Sequence, residues 1–180
     1  FAENALAVLA ACDWLGLSHD ATVDGLANWT AVLGRGRLET LSLDKTNPDK
    51  TVVLIDEAYN ANPTSLWAAL EVLVAIEPSG QGQRIAYLGD MKELGPKSAG
   101  MHAQIADHPA VAGIARIHAV GALMQNLYQA LPTEKQGRWT ATSGEMVEGI
   151  MVDLQAGDVV LVKGSLSVGM GRVVDAIVDL

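Results

Sequence analysis

The sequence predicts an α/β protein with a mostly parallel sheet flanked by helices. Short apolar runs recur along it, among them "TVVLI" (51–55), "RIAYLG" (84–89) and "VVLV" (159–162). Segments with apolar residues at helical spacing separate these runs. Polar or glycine-bearing turns follow them: Asp56-Glu57, Gly89-Asp90, Gly121 and Lys163-Gly164-Ser165. In parallel sheets ligands bind beyond the carboxyl ends of the strands, so these turns are where a site is expected.

Residues 3–15 are rich in Ala and Leu and predict a helix that Gly16 stops. A second short helix is expected over 19–28. "GRGR" (34–37) has two glycines within three positions and predicts a hinge or linker. "LETLSL" (38–43) alternates as a strand, "NPDK" turns the chain, and "TVVLI" follows, so a hairpin is expected. Asn62 then caps a helix that has Pro63 at its first position, with Trp67, Leu70, Leu73 and Val74 at helical spacing. After the strand at 84–89, a helix is expected over 98–107, with Met101 and Ile105 one turn apart. "ARIHAVG" (115–121) predicts a strand, followed by a helix to about residue 131. "RWTAT" (138–142) is a weaker strand before a helix over 143–154. "DVVLVKG" (158–164) is the last strand, and "VGMGRVVDAIVDL" closes the chain as a helix.

Composition narrows the function classes. Apolar residues make up 49% of the 180, which predicts a folded core rather than disorder. Twelve basic against 21 acidic residues leave a net charge of −9, which opposes a nucleic-acid partner. Cys12 is the only cysteine, so neither an internal disulfide nor a thiolate cluster can form, and a reducing compartment fits. No apolar run reaches the roughly 18–20 residues that span a bilayer. The opening "FAENALAVLAACDWLG" lacks a signal peptide's basic leader and carries Glu3 and Asn4 where an apolar stretch would begin. The chain starts without Met and reads as a piece of something longer.

Neither G-x-G-x-x-G nor G-x-x-x-x-G-K-[ST] occurs, so dinucleotide-binding and P-loop readings fail. The histidines at 19, 102, 108 and 118 have no metal-ligand spacing. "IDEAYNANP" (55–63) does carry chemistry. Asn62 is explained as a cap and Asn60 as an Asx turn, yet a strand-end Glu57 can accept hydrogen bonds from a ribose, and the Asn60 amide can reach an adenine or phosphate edge. Asp90 immediately follows a buried strand at the same rim. Ser165 has a plain reading as a helix cap. Lys163, the first charge after "VVLV", can neutralise a carboxylate or a phosphoryl group. Two readings follow: a site for an anionic substrate or nucleotide shared with another domain, or a receiver-like α/β phosphoacceptor cluster. A hairpin before the acid pair, and Gly164 rather than Pro after the lysine, oppose the second.

"DEAYNANPTS", "LGDMKELG" and "LVKGS", in this order and spacing and together with "NALAVLAA" and "GRL", resemble the Mur ligase family. The resemblance spans all 180 residues and implies the later part of a three-domain enzyme. Residues 1–33 would be the last helices of the central ATP-binding domain, and residues 34–180 the C-terminal, Rossmann-like domain. The implied chemistry is cytoplasmic, ATP- and Mg²⁺-dependent amide formation through an acyl phosphate. D-alanyl-D-alanine supplies the amine, UDP-N-acetylmuramoyl-tripeptide the carboxylate, and the product is a peptidoglycan precursor. A monomer is implied, with the metal held mainly by other parts and this piece inactive alone. The resemblance assigns ATP contacts to Asn4 (adenine), Arg37 at the domain junction, Asp56 or Glu57 (ribose) and Asn60. It places Tyr59, Asp90 and Ser165 with the peptide substrate and makes Lys163 catalytic. Glu57 departs from the Asp that relatives often carry by one methylene.

Overall fold

A computed structural model describes residues 2–44 and 46–180, with the side chains of residues 2 and 3 left out. The chain divides into two compact units, Phe1–Ala31 and Val32–Leu180.

The first unit is a helix pair, α1 (Ala2–Trp14) and α2 (His19–Ala27). Gly16, at φ 73°, ends α1, and the Ser18 hydroxyl caps α2 by accepting from the Ala21 N–H. The pair shares an apolar groove of about 940 Å³ lined by Val8, Leu17, Leu26 and Trp29 among others. Leu6, Trp14 and Leu15 remain exposed.

The second unit is built on a six-stranded sheet in the order β1-β2-β6-β3-β4-β5. Its strands are β1 (Arg37–Ser42), β2 (Thr51–Glu57), β3 (Arg84–Gly89), β4 (Arg116–Val120), β5 (Gln136–Thr140) and β6 (Val159–Lys163). The expected hairpin forms: β1 pairs antiparallel with β2, with Arg37 opposite Asp56 and Ser42 opposite Thr51. All other pairings are parallel. Helix α3 (Pro63–Ala75) starts as expected, with a full capping box between Asn62 and Ser65. Its core face is Leu66, Ala69, Leu70 and Leu73. Trp67 instead lies half-exposed and stacks on His108 with ring centroids 5.9 Å apart.

Helices α3 and α5 (Met124–Ala130) cover one face of the sheet, together with Ile105, Val111 and Ile114. The other face carries α6 (Ser143–Val147), α7 (Ile150–Asp153) and α8 (Gly171–Val178) through Met146, Ile150, Met170, Val173 and Ile177. Three helical expectations change in detail. The segment from 98 is α-helical only over α4 (Ser98–Ala103) and tightens to a 3-10 turn over Gln104–Asp107. The helix expected over 143–154 breaks into α6 and α7 at Gly149, whose φ of 87° is left-handed. The closing segment forms a 3-10 turn before α8.

The crossover order positions the site. The chain leaves β2 and β3 toward the α3 face but leaves β6 toward α8 on the opposite face. The connections therefore part on both sides of β6, which is the position in the strand order where parallel sheets bind ligands.

Candidate functional site

Successive strand residues point to opposite faces, and this sorts the acid pair that ends β2. Asp56 follows Leu54 and turns away from α3, whereas Glu57 follows Ile55 and turns toward it. Lys163 pairs in register with Glu57 and points to the same face. Lys163 is 1% exposed, and its Nζ donates to Glu57 Oε2 at 3.2 Å and to the Asn60 carbonyl at 2.9 Å. Burial pushes the ammonium pKa down, and the Glu57 carboxylate opposes that shift. This lysine is thus the inner tie of the β2 turn.

Asp56 has a different task. Its Oδ2 accepts from the Gly34 N–H at 2.7 Å and its Oδ1 from the Ala58 N–H at 3.1 Å, while its carbonyl accepts from the Gly36 N–H at 2.8 Å. Both carboxylate oxygens of Asp56 hold backbone, whereas Glu57 Oε2 accepts from Lys163. The Arg35 guanidinium lies 4.0 Å from the Tyr59 ring centroid, and Tyr59 is otherwise half-exposed. The antiparallel β1 puts Arg37 opposite Asp56, exposed at this rim, with its Nε on Glu39 Oε1 at 2.7 Å. Asn60 is exposed, and its Oδ1 accepts from the Ala61 N–H.

Asp90, 2% exposed, ties three strand ends together. Its Oδ1 accepts from the Met124 N–H at 2.8 Å and its Oδ2 from Lys92 Nζ at 2.8 Å, while its carbonyl accepts from the Ser165 N–H at 3.0 Å. Gly121, at φ 106°, is required there because a Cβ would sit 2.4 Å from the Asp90 carboxylate. The Ser165 hydroxyl accepts from the Lys92 N–H at 2.9 Å and makes no helix-cap bond. The strand-end glycines serve packing: a Cβ on Gly164 would meet Met170 at 2.6 Å and Gly89 at 3.0 Å. That closeness joins the end of β6 to the end of β3.

Arg37, Asp56, Glu57, Tyr59, Asn60, Asp90, Lys163 and Ser165 therefore gather at one rim of the sheet. Asn4 is exposed on α1 in the first unit and lines its groove. His102 was not singled out by its sequence position, yet it is fully buried beneath the rim; its Nε2 accepts from the Met91 N–H at 2.9 Å, and its Nδ1 lies 2.6 Å from the Ser98 carbonyl. Its partners are backbone groups, so no side-chain pattern announced it. Lys92 folds back onto Asp90.

A second polar cluster lies toward the amino ends of the strands, around a cavity of about 370 Å³. His118 stacks on Tyr87 with centroids 4.4 Å apart, and its Nδ1 accepts from the Arg138 N–H at 3.1 Å. Burial pushes the His118 pKa down to about 4, with Asp153 pulling the other way. Burial, and after it Asp153, holds the Tyr87 phenol protonated. Arg138 donates to Asp153 Oδ2 from Nε at 2.9 Å and Nη2 at 2.6 Å, and to the carbonyls of Glu148 and Met146. Asp158 accepts from the Gln83 and Gln155 N–H groups; burial raises its pKa and those two bonds oppose the rise.

The sequence model of the Mur ligase glutamate ligase domain matches residues 36–166. Two curated relatives are both called UDP-N-acetylmuramoyl-tripeptide–D-alanyl-D-alanine ligase. The one from Escherichia coli K12 is 34% identical, and the one from Rickettsia prowazekii 27%, over 97% of this chain. The chain spans 36% of the length of each. Among solved structures, a MurF from Acinetobacter baumannii superposes with a TM-score of 0.76 at 26% identity, covering 97% of this chain and 37% of that one. The MurF ligase of Thermotoga maritima in complex with ADP superposes with a TM-score of 0.75 at 22% identity, covering 95% and 36%.

Proposed function

Because the chain belongs to the Mur ligase family, we propose that it is the C-terminal part of an ATP-dependent amide ligase that joins D-alanyl-D-alanine to UDP-N-acetylmuramoyl-tripeptide. One observation carries this reading: the segments holding Glu57, Asp90 and Lys163 end the adjacent parallel strands β2, β3 and β6 where the crossovers diverge. Residues 1–33 are assigned to the end of the ATP-binding domain, and residues 34–180 to the domain that closes over the substrates. The same enzyme is placed in the cytoplasm as a monomer, making the peptidoglycan precursor on which cell shape and division depend.

In the proposed reaction the tripeptide carboxylate attacks the γ-phosphorus of ATP. An O–P bond forms, the bond to the β,γ-bridging oxygen breaks, and ADP leaves. The dipeptide amine then attacks the acyl carbon, phosphate departs, and the nitrogen gives up its proton as the amide forms. Arg37, Glu57 and Asn60 are assigned to the nucleotide, with Asn4 on its adenine. Glu57, and not Asp56, is assigned to the ribose, because Asp56 is engaged by backbone. Lys163 keeps Glu57 and the Asn60 turn in place and has a third donor for charge developing on the acyl phosphate. Ser165, Asp90 and Tyr59 are assigned to the peptide side. The resemblance also implies Mg²⁺. Among the described residues no three His, Cys, Asp or Glu side chains gather as a metal cage. The ion is assigned mainly to other parts of the enzyme, and no step is routed through it here.

A phosphoacceptor role is disfavoured because the carboxylates of Asp56 and Asp90 are both buried and both engaged. The deciding experiment supplies the intact ligase with ATP, Mg²⁺, tripeptide precursor and dipeptide, and follows product mass. Pentapeptide precursor and ADP in equal amounts are expected, with no phosphate release by residues 1–180 alone. Turnover that requires a different amine would overturn the substrate assignment.

A further inference from the structure

We propose that His102 is a positioning residue for the loop from Asp90 to Gly95, and that it acts on the non-nucleotide substrates of the proposed ligase. The inference rests on that functional reading. His102 is 0% exposed, whereas Lys92 and Glu93 of the loop are exposed. A backbone N–H faces its Nε2, so that nitrogen is the unprotonated acceptor, and Nδ1 carries the proton given to the Ser98 carbonyl. One imidazole thus ties the start of the loop, at Met91, to the first residue of its own helix α4, Ser98.

The loop needs such a clamp. Glu93 sits at φ 64°, a left-handed conformation that a non-glycine residue holds only when its surroundings impose it. Three side chains do so on consecutive residues. Asp90 reaches the Met124 N–H, His102 holds the Met91 N–H, and Ser165 holds the Lys92 N–H. The outcome is that Lys92 and Glu93 are displayed outward at the rim, with Lys92 Nζ pinned on Asp90 Oδ2 and its side chain 45% exposed. In the sheet, β6 separates β3 from β2, so this loop and the turn that carries Glu57 and Asn60 lie on opposite sides of β6. Because the proposed function assigns the nucleotide to the β1 and β2 side, the effect of the loop is expected on the other substrates.

The test uses three variants. His102→Leu removes both bonds. His102→Asn keeps a polar group only near the Nδ1 position. His102→Gln places an amide oxygen near the Nε2 position and can still accept from Met91. Amide hydrogen exchange on this chain reads the loop directly. Met91 and Lys92 are expected to lose protection in the Leu and Asn variants and to keep it in Gln. Kinetics on the intact ligase read the consequence. KM for the dipeptide is expected to rise at least about tenfold in Leu and Asn, with KM for ATP within about twofold and Gln within about threefold of wild type. A general loss of stability would move all the amides and both KM values together. A folded Leu or Asn variant with wild-type exchange and an unchanged dipeptide KM overturns the proposal, as does a Gln variant no better than Leu. An intact wild-type enzyme without ligase activity instead overturns the functional reading, and exchange alone then decides whether His102 holds the loop.

Discussion

At the carboxyl ends of the strands, Lys163 is 1% exposed and bridges Glu57 to the Asn60 carbonyl; at the amino ends, Asp158 is 1% exposed and accepts from the amides of Gln83 and Gln155. Both ends bury charge, and both contain groups whose pKa is displaced by burial. Perturbed titration therefore does not separate a working site from a structural one in this molecule. The difference lies in what the buried groups hold. At the amino ends they hold each other and the backbone of the segments packed there, as Arg138 does with Asp153 and the carbonyls of Met146 and Glu148. At the carboxyl ends they hold loops that carry partly exposed polar side chains: Glu57, Asn60, Lys92 and Glu93.

The largest expected effect tests whether Asp90 is a tie or only a rim carboxylate. Asp90→Ala leaves the Met124 N–H buried without a partner and releases Lys92. Urea unfolding is expected to show a loss of roughly 2–4 kcal/mol. A loss below about 1 kcal/mol would mean that water replaces those bonds and that the three strand ends do not depend on this side chain.

The next effect belongs to the amino end. His118 has a folded pKa of about 4 against 6.5 for the free side chain. Between those values the unfolded chain binds a proton that the folded chain refuses, so the contribution is complete above pH 6.5 and is lost as pH falls toward 4. From pH 7 to pH 5 this amounts to roughly 2 kcal/mol. His118→Gln is expected to flatten the pH dependence of unfolding by that amount. An unchanged slope would show that the imidazole titrates freely in the folded chain.

Much of this organisation was legible in the sequence. Apolar runs marked β2, β3, β4 and β6 and alternation marked β1, whereas β5, which has no apolar run, was expected over 138–142 and lies at Gln136–Thr140; the polar turn marked the β1–β2 hairpin, and Asn62-Pro63 marked the start of α3. The rim followed from asking what ends each strand. What could not be read is which rim residues touch. Lys163 and Glu57 meet only because β6 is laid beside β2, and a pairing across 106 residues of sequence leaves no local trace. Alternation says that Asp56 and Glu57 face opposite sides, but only the packed helices say which side faces α3. Nothing in the sequence around Gly164 says that Met170 packs against it. His102 stayed silent because both of its partners are backbone groups. The helix over 143–154 was overextended because the apolar spacing runs through Gly149, whose backbone turns left-handed.

Steady-state ligation kinetics in the intact enzyme test most directly whether the carboxyl rim serves the nucleotide while the amino-end cluster only supports the fold. Arg37→Ala and Glu57→Ala each remove a charged group at the rim, and His118→Gln is the amino-end control. KM for ATP is expected to rise roughly 10- to 150-fold in the two rim variants, with the dipeptide KM moving far less. The control is expected to stay near wild type at pH 7.5 to 8. A rise confined to the dipeptide KM, or a control that disturbs the ATP KM as much as Glu57→Ala does, would contradict the assignment.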